Sequence, residues 1–155
     1  FGEDMPFADE SVDVVLCRAV LEHVREPDKI VKEARRILKP GGEFYVETPF
    51  LQPFHAAPDD YQRWTLEGLR YLLRDFKEVE SGVCGGPGAA IAWLSVEASQ
   101  VVFGGRTTKR IAKNMTKIIV SPLKYLDAFW VKREGTTGVA SALYFLCAKS
   151  HYKMP

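Results

Sequence analysis

The segment 48–65 gathers the side chains best suited to bind a small molecule. It places an imidazole, two aromatic rings and a guanidinium among prolines, directly after a predicted strand. Loops at the carboxyl ends of strands commonly carry binding residues, because the sheet holds them in place. We therefore assign substrate binding to four residues of this loop: His55, Tyr61, Arg63 and Trp64. A structural interpretation remains open, in which both rings pack in the core and the guanidinium pairs with Asp59 or Asp60.

His23 is a fifth candidate for substrate binding, because it follows the first predicted strand at the edge where ligands bind in α/β sheets. It can line the pocket or serve as a hydrogen-bonded structural histidine, and the sequence leaves both roles open. The sequence has no Cys/His spacing typical of a metal site and no order of Ser, His and Asp typical of a hydrolase. We therefore predict neither a metal centre nor a catalytic triad.

A strand, a helix and a second strand must position these candidates. Residues 12–17 form a short β-branched run, which is typical of a strand buried in a parallel sheet. Pro27 fits the first turn of a helix with apolar residues at helical spacing, and residues 39–42 supply its stop. Residues 43–48 are the next predicted strand. Such a unit predicts two neighbouring parallel strands joined by a helical crossover, in a mostly parallel sheet.

The rest of the chain predicts one α/β domain over residues 1–155. A helix over 65–73 begins at the capping residue Thr65, and strands are predicted over 76–84 and 143–148. The residues between these strands do not continue the alternation of strand and helix. We interpret residues 85–140 as a helical insertion before the last strand.

Composition favours a globular protein with a single core. The chain has 155 residues, of which 46% are hydrophobic and 26% charged, and its net charge is +1. That charge gives no reason to expect nucleic acid as a partner. Cys17, Cys84 and Cys147 stand singly in apolar runs, which predicts buried thiols in a reducing, cytoplasmic compartment.

Basic residues concentrate in the last third of the chain. After residue 100 the sequence has 10 Lys and Arg against 2 Asp and Glu. Residues 108–130 alternate these charges with apolar side chains, a pattern that suits peripheral contact with an anionic membrane. A solvated face on a surface helix explains the same pattern, and we favour it because charge runs usually serve solubility.

Three motifs resemble one known family. Residues 4–15, followed by 21–24 (LEHV) and by 38–42 (LKPGG), are similar to class I S-adenosylmethionine-dependent methyltransferases, typified by the ubiquinone- and menaquinone-biosynthesis enzymes. The order and spacing match over roughly residues 3–50. The resemblance implies a Rossmann-like methyltransferase sheet, of which this chain would be the C-terminal half.

The same resemblance implies the cofactor S-adenosyl-L-methionine and the residues that would bind it. Asp4 matches the carboxylate that accepts a hydrogen bond from the adenine amino group, and Met5 matches the residue whose backbone N–H meets the ring. Cys17, Arg18 and Ala19 match the turn near the methionyl part of the cofactor. Asp4 can alternatively be a turn acid before Pro6.

The implied reaction is in-line transfer of the sulfonium methyl group to an unidentified small-molecule or sugar- or lipid-linked acceptor. Such catalysis depends largely on positioning and desolvation, and the sequence names no catalytic base. Segment 48–65 also resembles a pattern common in family members associated with surface-sugar biosynthesis. A rival interpretation is a truncated, non-catalytic module that binds a protein or a membrane.

We predict that the 155-residue chain by itself binds S-adenosylmethionine weakly and transfers no methyl group. In the family, the glycine-rich loop and the ribose-binding carboxylate precede the position of Asp4, and each lost hydrogen bond to the ligand costs about 1–3 kcal/mol. A combined loss of about 4 kcal/mol weakens binding roughly a thousandfold. Calorimetric titration measures this affinity directly, and low-micromolar binding would contradict the prediction.

A chain that holds only the C-terminal half of the sheet would leave a strand edge unpaired. We therefore also expect a homodimer that forms through this edge.

Overall fold

Two parallel strands and the helix between them carry the first candidates. In a computed structural model, which describes residue 2 and residues 4–56 and 59–150, β1 (Val12–Arg18) pairs in parallel with β2 (Leu38–Pro49). The register places Cys17 opposite Val46 and Arg18 opposite Glu47. The predicted parallel pairing is therefore confirmed, and β1 and β2 end side by side.

Helix α1 (Pro27–Ile37) joins the two strands as predicted. Pro27 lies in its first turn, where the missing N–H costs nothing. Its buried face repeats at helical spacing and consists of Ile30, Val31, Ala34 and Ile37. Burying this stripe against the sheet accounts for most of the stability of so short a helix.

Strand β2 begins five residues earlier than the predicted residue 43. Leu38 is wholly buried and already extended, so residues 39–42 lie within the strand and not in a separate turn. Gly41 has a φ of 79°, which favours glycine. A Cβ on Gly42 would lie 2.9 Å from the carbonyl oxygen of Asp13, so β1 and β2 approach closely there.

The described sheet has four strands in the order β1-β2-β4-β3. β3 is Lys77–Gly85 and β4 is Ala142–Ala148. The Gly41 N–H donates to the Lys149 carbonyl, and the Lys149 N–H donates to the Gly42 carbonyl. Phe44 in turn lies against Cys147, so β4 runs antiparallel to β2 and the sheet is mixed. The expectation of a mostly parallel sheet is corrected to this extent.

β1 lies at one edge of the described sheet, and dimerisation through this edge remains a prediction.

Helix α2 (Leu66–Leu72) follows the candidate loop and has the predicted cap. The Thr65 hydroxyl accepts the Gly68 N–H at 3.1 Å, which satisfies one donor of the first turn. The helix buries Leu69 and Leu72. The loop is therefore fixed at its carboxyl end by a capped helix.

The chain divides into two compact units. The sheet unit comprises Phe1–Pro49, His55–Gly82 and Leu143–Pro155, and the helical unit comprises Phe50–Phe54 and Val83–Ala142. The helical insertion predicted over 85–140 stays a prediction. Whether the two units form one domain remains a prediction.

Three helices make up the helical unit: α3 (Pro87–Val102), α4 (Arg106–Val120) and α5 (Leu123–Trp130). The Asp127 carboxylate of α5 accepts the N–H groups of Gly88 and Ala89 at 2.7 and 2.9 Å, so α5 caps the start of α3. A Cβ on Gly88 would lie 2.1 Å from the Leu123 carbonyl oxygen, which explains glycine at this helix contact. No helix in the described ranges is long and apolar enough to span a bilayer.

The prediction of buried thiols holds for two cysteines of three. Cys17 and Cys147 are buried, and burial raises the pKa of each to about 12. Cys84 is exposed, so the prediction was wrong there. Cys84 is the last residue but one of β3, and the apolar residues around it in the sequence do not indicate that its side chain is exposed. None of the three forms a disulfide.

Helix α4 tests the proposed membrane contact. None of its residues is buried, and its exposed apolar side chains include Ile118 and Ile119. We favour the solvated face, and expect sedimentation with vesicles to be independent of anionic lipid and of salt. Salt-sensitive binding to phosphatidylserine vesicles that is lost in Ile118→Gln and kept in Val139→Gln would establish the membrane interpretation instead. Val139 is an exposed apolar residue outside the helices.

Candidate functional site

The turn after β1 is held in a strained conformation. Ala19 has a φ of 51°, which costs a residue with a side chain of the order of 1 kcal/mol. Its N–H donates to the Glu47 carbonyl at 3.0 Å, and the Arg18 guanidinium donates to the Glu47 carboxylate at 2.7 Å. The end of β2 thus holds the turn in place. Strain of this kind concentrates at functional sites.

A 3₁₀ turn over Leu21–His23 follows directly and buries a carboxylate. The Glu22 side chain is wholly inaccessible to solvent. Neither of its carboxylate oxygens has a hydrogen-bond partner among the described residues. A buried charge without hydrogen bonds is costly, so its retention calls for an explanation.

Two histidines lie beside this carboxylate. Glu22 Oε1 is 3.7 Å from His23 Nε2 and 4.0 Å from His55 Nε2. The two imidazole rings meet edge to face, with centroids 5.4 Å apart. Two predicted substrate-binding residues, separated by 32 positions, therefore converge on Glu22.

Asp60 and Arg63 support the ring of His55 from the other side. The Arg63 guanidinium forms a bidentate pair with the Asp60 carboxylate, with 2.6 Å between Nη2 and Oδ2. The Asp60 carboxylate also accepts the His55 backbone N–H at 2.9 Å. These hydrogen bonds, led by that of Arg63, hold the pKa of Asp60 well below its usual range. The pair favours the structural interpretation of Arg63.

Tyr61 joins the candidate loop to the 3₁₀ turn. Its N–H donates to the Glu22 carbonyl at 2.7 Å. Its hydroxyl donates to Asp59 at 2.8 Å and accepts from Arg25 at 2.9 Å. The ring is 42% exposed, whereas Trp64 is only 9% exposed and packs in the core. Tyr61 is therefore accessible to a ligand, and Trp64 fits the structural interpretation.

The residues matched to the adenine edge lie against α1. The resemblance assigns the Met5 N–H to the adenine ring of the cofactor. In the structure this N–H donates to Glu33 Oε1 at 2.9 Å. Arg36 donates both to Glu33 and to the Met5 carbonyl. Asp4 is exposed, and no hydrogen bond of its carboxylate is seen within the described ranges. The carboxylate thus fits an adenine amino group, while the Met5 N–H fits the ring only once Glu33 releases it.

The turn matched to the methionyl part of the cofactor also has only some of its polar groups available to a ligand. The Arg18 Nε–H and the Ala19 N–H both donate to Glu47, and the Cys17 thiol is buried. Burial and the nearby Glu22 charge raise the Cys17 pKa, so this thiol is neutral at pH 7. The turn lies at the carboxyl end of a strand, where α/β sheets bind ligands, and its contribution to binding would be mainly the shape of the backbone.

Sequence analysis missed Glu22 and the positioning role of Asp60. Glu22 belongs to the LEHV motif, but a glutamate in a motif is ordinarily exposed, and its burial is a tertiary property. Asp60 was noticed only as a partner for Arg63. Its spacing of three residues from Arg63 was the one local signal of the pair.

Comparison with known proteins finds methyltransferases similar to part of this chain. Residues 2–46 match the family model described as a methyltransferase domain. Human thiol S-methyltransferase TMT1B is 34% identical over 84 residues, which cover 54% of this chain and 32% of the relative. Ubiquinone biosynthesis O-methyltransferase of Pseudomonas syringae is 41% identical over 72 residues, which cover 46% of this chain and 27% of the relative. The chain thus spans about a third or less of these relatives' length.

Solved structures show the fold. Phosphoethanolamine N-methyltransferase 2 of Haemonchus contortus, solved in complex with S-adenosyl-L-methionine, matches 97% of this chain and 36% of its own with a TM-score of 0.56. At 16% identity this likeness establishes architecture alone. The fold is thus the Rossmann-like α/β fold of class I methyltransferases, as predicted. The sequence similarity to the methyltransferase-domain family covers residues 2–46.

Glu33 should give the stability of the chain a defined acid dependence. The Arg36 and Met5 hydrogen bonds lower its pKa from 4.5 to about 2. Because the folded-state pKa is depressed, the stabilising contribution is complete above about pH 4.5 and is lost as the pH falls toward 2. The difference in melting temperature between wild type and Glu33→Gln should be constant from neutral pH to about pH 5 and shrink below it. Glu134→Gln controls for net charge, and an undiminished difference at low pH would contradict the assignment.

Proposed function

We propose that this protein transfers a methyl group from S-adenosyl-L-methionine to a small-molecule or sugar- or lipid-linked acceptor that binds beside Glu22. The cofactor, when bound, supplies an electrophilic methyl group on a positively charged sulfur. The residues proposed to hold it are those of the resemblance: Asp4, Met5, Cys17, Arg18 and Ala19. The acceptor side is proposed to consist of His23, His55 and Tyr61 around the Glu22 carboxylate.

The observation that carries the proposal is the buried Glu22 carboxylate between two imidazoles. It lies just beyond the carboxyl end of β1, where open α/β sheets bind their ligands. An acceptor that donates a hydrogen bond, through a hydroxyl, thiol or amine, would satisfy the oxygens that no described residue satisfies. Glu22 and His23 also fall within the matched residues 2–46.

The chain's own residues contribute position more than proton transfer. Asp60 and Arg63 hold His55, Tyr61 holds the 3₁₀ turn, and Glu47 holds the turn at Ala19. Fixing an acceptor in line with a reactive methyl group lowers the barrier by removing translational and rotational freedom. Arg63 and Trp64 are proposed to support this pocket rather than to touch the acceptor.

The rival interpretation, a non-catalytic module that binds a protein or a membrane, gains no support from the comparisons. The relatives matched are described as enzymes that methylate sulfur or oxygen. Because each shares only part of its length with this chain, the particular acceptor does not transfer from them.

Glu22→Gln should reduce methyl transfer about 10- to 100-fold. The substitution keeps the shape of the side chain but removes a charge-assisted hydrogen bond worth about 1.5–3 kcal/mol. Its melting temperature should change little, because no described hydrogen bond is lost with the charge. Transfer of labelled methyl from S-adenosylmethionine to a panel of thiols, phenols, amines and sugars measures the effect.

The assay uses the product of the complete reading frame, so that its outcome does not depend on whether these 155 residues suffice. Glu43→Gln, which changes an exposed glutamate of β2, is the matched control and should retain full activity. Equal losses in both variants would contradict the role of Glu22. A wild-type protein that methylates none of the panel and does not consume the cofactor would contradict the proposed function.

A further inference from the structure

We propose that Glu22, His23 and His55 form a binding site for a divalent transition-metal ion. The binding itself is independent of the proposed function. Only the metal's role, which is to hold the acceptor atom, rests on methyl transfer.

The three side chains offer one ligand atom each in a small volume. These atoms all lie within 4.8 Å of one another, and Glu22 Oε1 is 3.7 and 4.0 Å from the two Nε2 atoms. Ligands about 2.1 Å from a tetrahedral ion lie about 3.4 Å apart. Side-chain rotations that bring the atoms closer by about 1 Å would therefore complete the site. Both rings are partly exposed, at 18% and 30%, so such movement is available to them.

The Glu22 carboxylate is the independent sign of a missing cation. Its side chain is wholly buried, and its two oxygens have no hydrogen-bond partner among the described residues. Arg63, which lies beside His55, is already paired with Asp60. A metal ion would supply the positive charge that this carboxylate lacks.

The hydrogen bond made by His23 presents the correct nitrogen to a metal. His23 Nδ1 contacts the Asp59 carbonyl, and because a carbonyl only accepts, Nδ1 must carry the proton. The neutral ring then has its lone pair on Nε2, the atom that faces Glu22. A backbone carbonyl on the second nitrogen is the usual support of a metal-binding histidine.

Asp60 provides the corresponding support for His55. Coordination through Nε2 requires the proton on Nδ1, which lies 3.7 Å from Asp60 Oδ2. Arg63 Nη2 lies 3.5 Å from the same nitrogen but donates more closely to Asp60, at 2.6 Å. A small turn of the ring toward Asp60 thus fixes the tautomer that binds metal.

Two imidazoles and one carboxylate select the class of ion. This donor set suits zinc, cobalt and iron(II) better than magnesium or calcium, which prefer oxygen ligands. Three protein ligands leave at least one coordination position open. In the proposed reaction, a hydroxyl or thiol of the acceptor occupies that position. Bound to the ion, that group would lose its proton to solvent more readily, and its oxygen or sulfur would form the new bond to the methyl carbon as the bond from that carbon to the cofactor's sulfur breaks, leaving S-adenosylhomocysteine.

Titration with Co²⁺ alone tests the site, because tetrahedral cobalt has intense visible absorption. The 155-residue chain carrying Cys84→Ser, which removes the one exposed thiol, should bind one Co²⁺ per chain with saturable absorption. Glu22→Gln, His23→Gln and His55→Gln should each weaken this binding at least tenfold. His151→Ala removes the remaining histidine of the sequence and should leave binding unchanged.

Circular dichroism of each variant establishes that it folds. His55→Gln changes a partly exposed ring and keeps the test decisive if Glu22→Gln does not fold. Three results would overturn the proposal: absence of saturable Co²⁺ binding, wild-type affinity in His23→Gln and His55→Gln, or loss of binding in His151→Ala. Cobalt binding by this chain, combined with no methyl transfer by the product of the complete reading frame, would retain the metal site and reject the proposed function. Methyl transfer by that product without cobalt binding would retain the proposed function and overturn the metal site.

Discussion

The parallel pairing of β1 with β2 is the constraint on which the rest of the site depends. Its register places Arg18 opposite Glu47, so that Glu47 can hold both the Arg18 side chain and the Ala19 N–H. With the turn held at a positive φ, the chain leaves β1 directly into the 3₁₀ turn that buries Glu22. A slip of one residue in this register would reverse which side chains face the core, and the turn would lose both contacts to Glu47.

The two buried carboxylates of the site, Asp60 and Glu22, differ in their hydrogen bonding. Asp60 is fully paired with Arg63, and its pKa is depressed accordingly. Glu22 is buried more deeply and has no hydrogen bond among the described residues, although two imidazoles lie nearby. Burying a carboxylate without a hydrogen bond costs stability, and a bound ligand that satisfies it would account for its presence. The same physical feature underlies both the acceptor site and the proposed metal site.

The family match and the fold support the proposed class of chemistry and leave its acceptor undefined. The match over residues 2–46 covers β1, α1 and most of β2, and hence the turn at Ala19 and Glu22. The candidate loop from His55 to Trp64 lies outside that match. Acceptor choice in such folds depends on loops and inserted segments, which differ among proteins of one architecture. We therefore expect variation in this loop to change the acceptor of this protein.

The sequence by itself determined the elements that depend on local periodicity and local capping. The β-branched run of β1, the apolar stripe of α1 and the Thr65 cap are each contained in a few consecutive residues, and all three were predicted correctly. Only the tertiary structure decided the antiparallel course of β4, the exposure of Cys84 and the burial of Glu22. It also brought His55 to His23, across 32 residues of chain. These features depend on contacts between segments that are distant in the sequence. Local patterns of a few residues do not indicate which distant segments come together, because that depends on the free energy of closing the intervening loops.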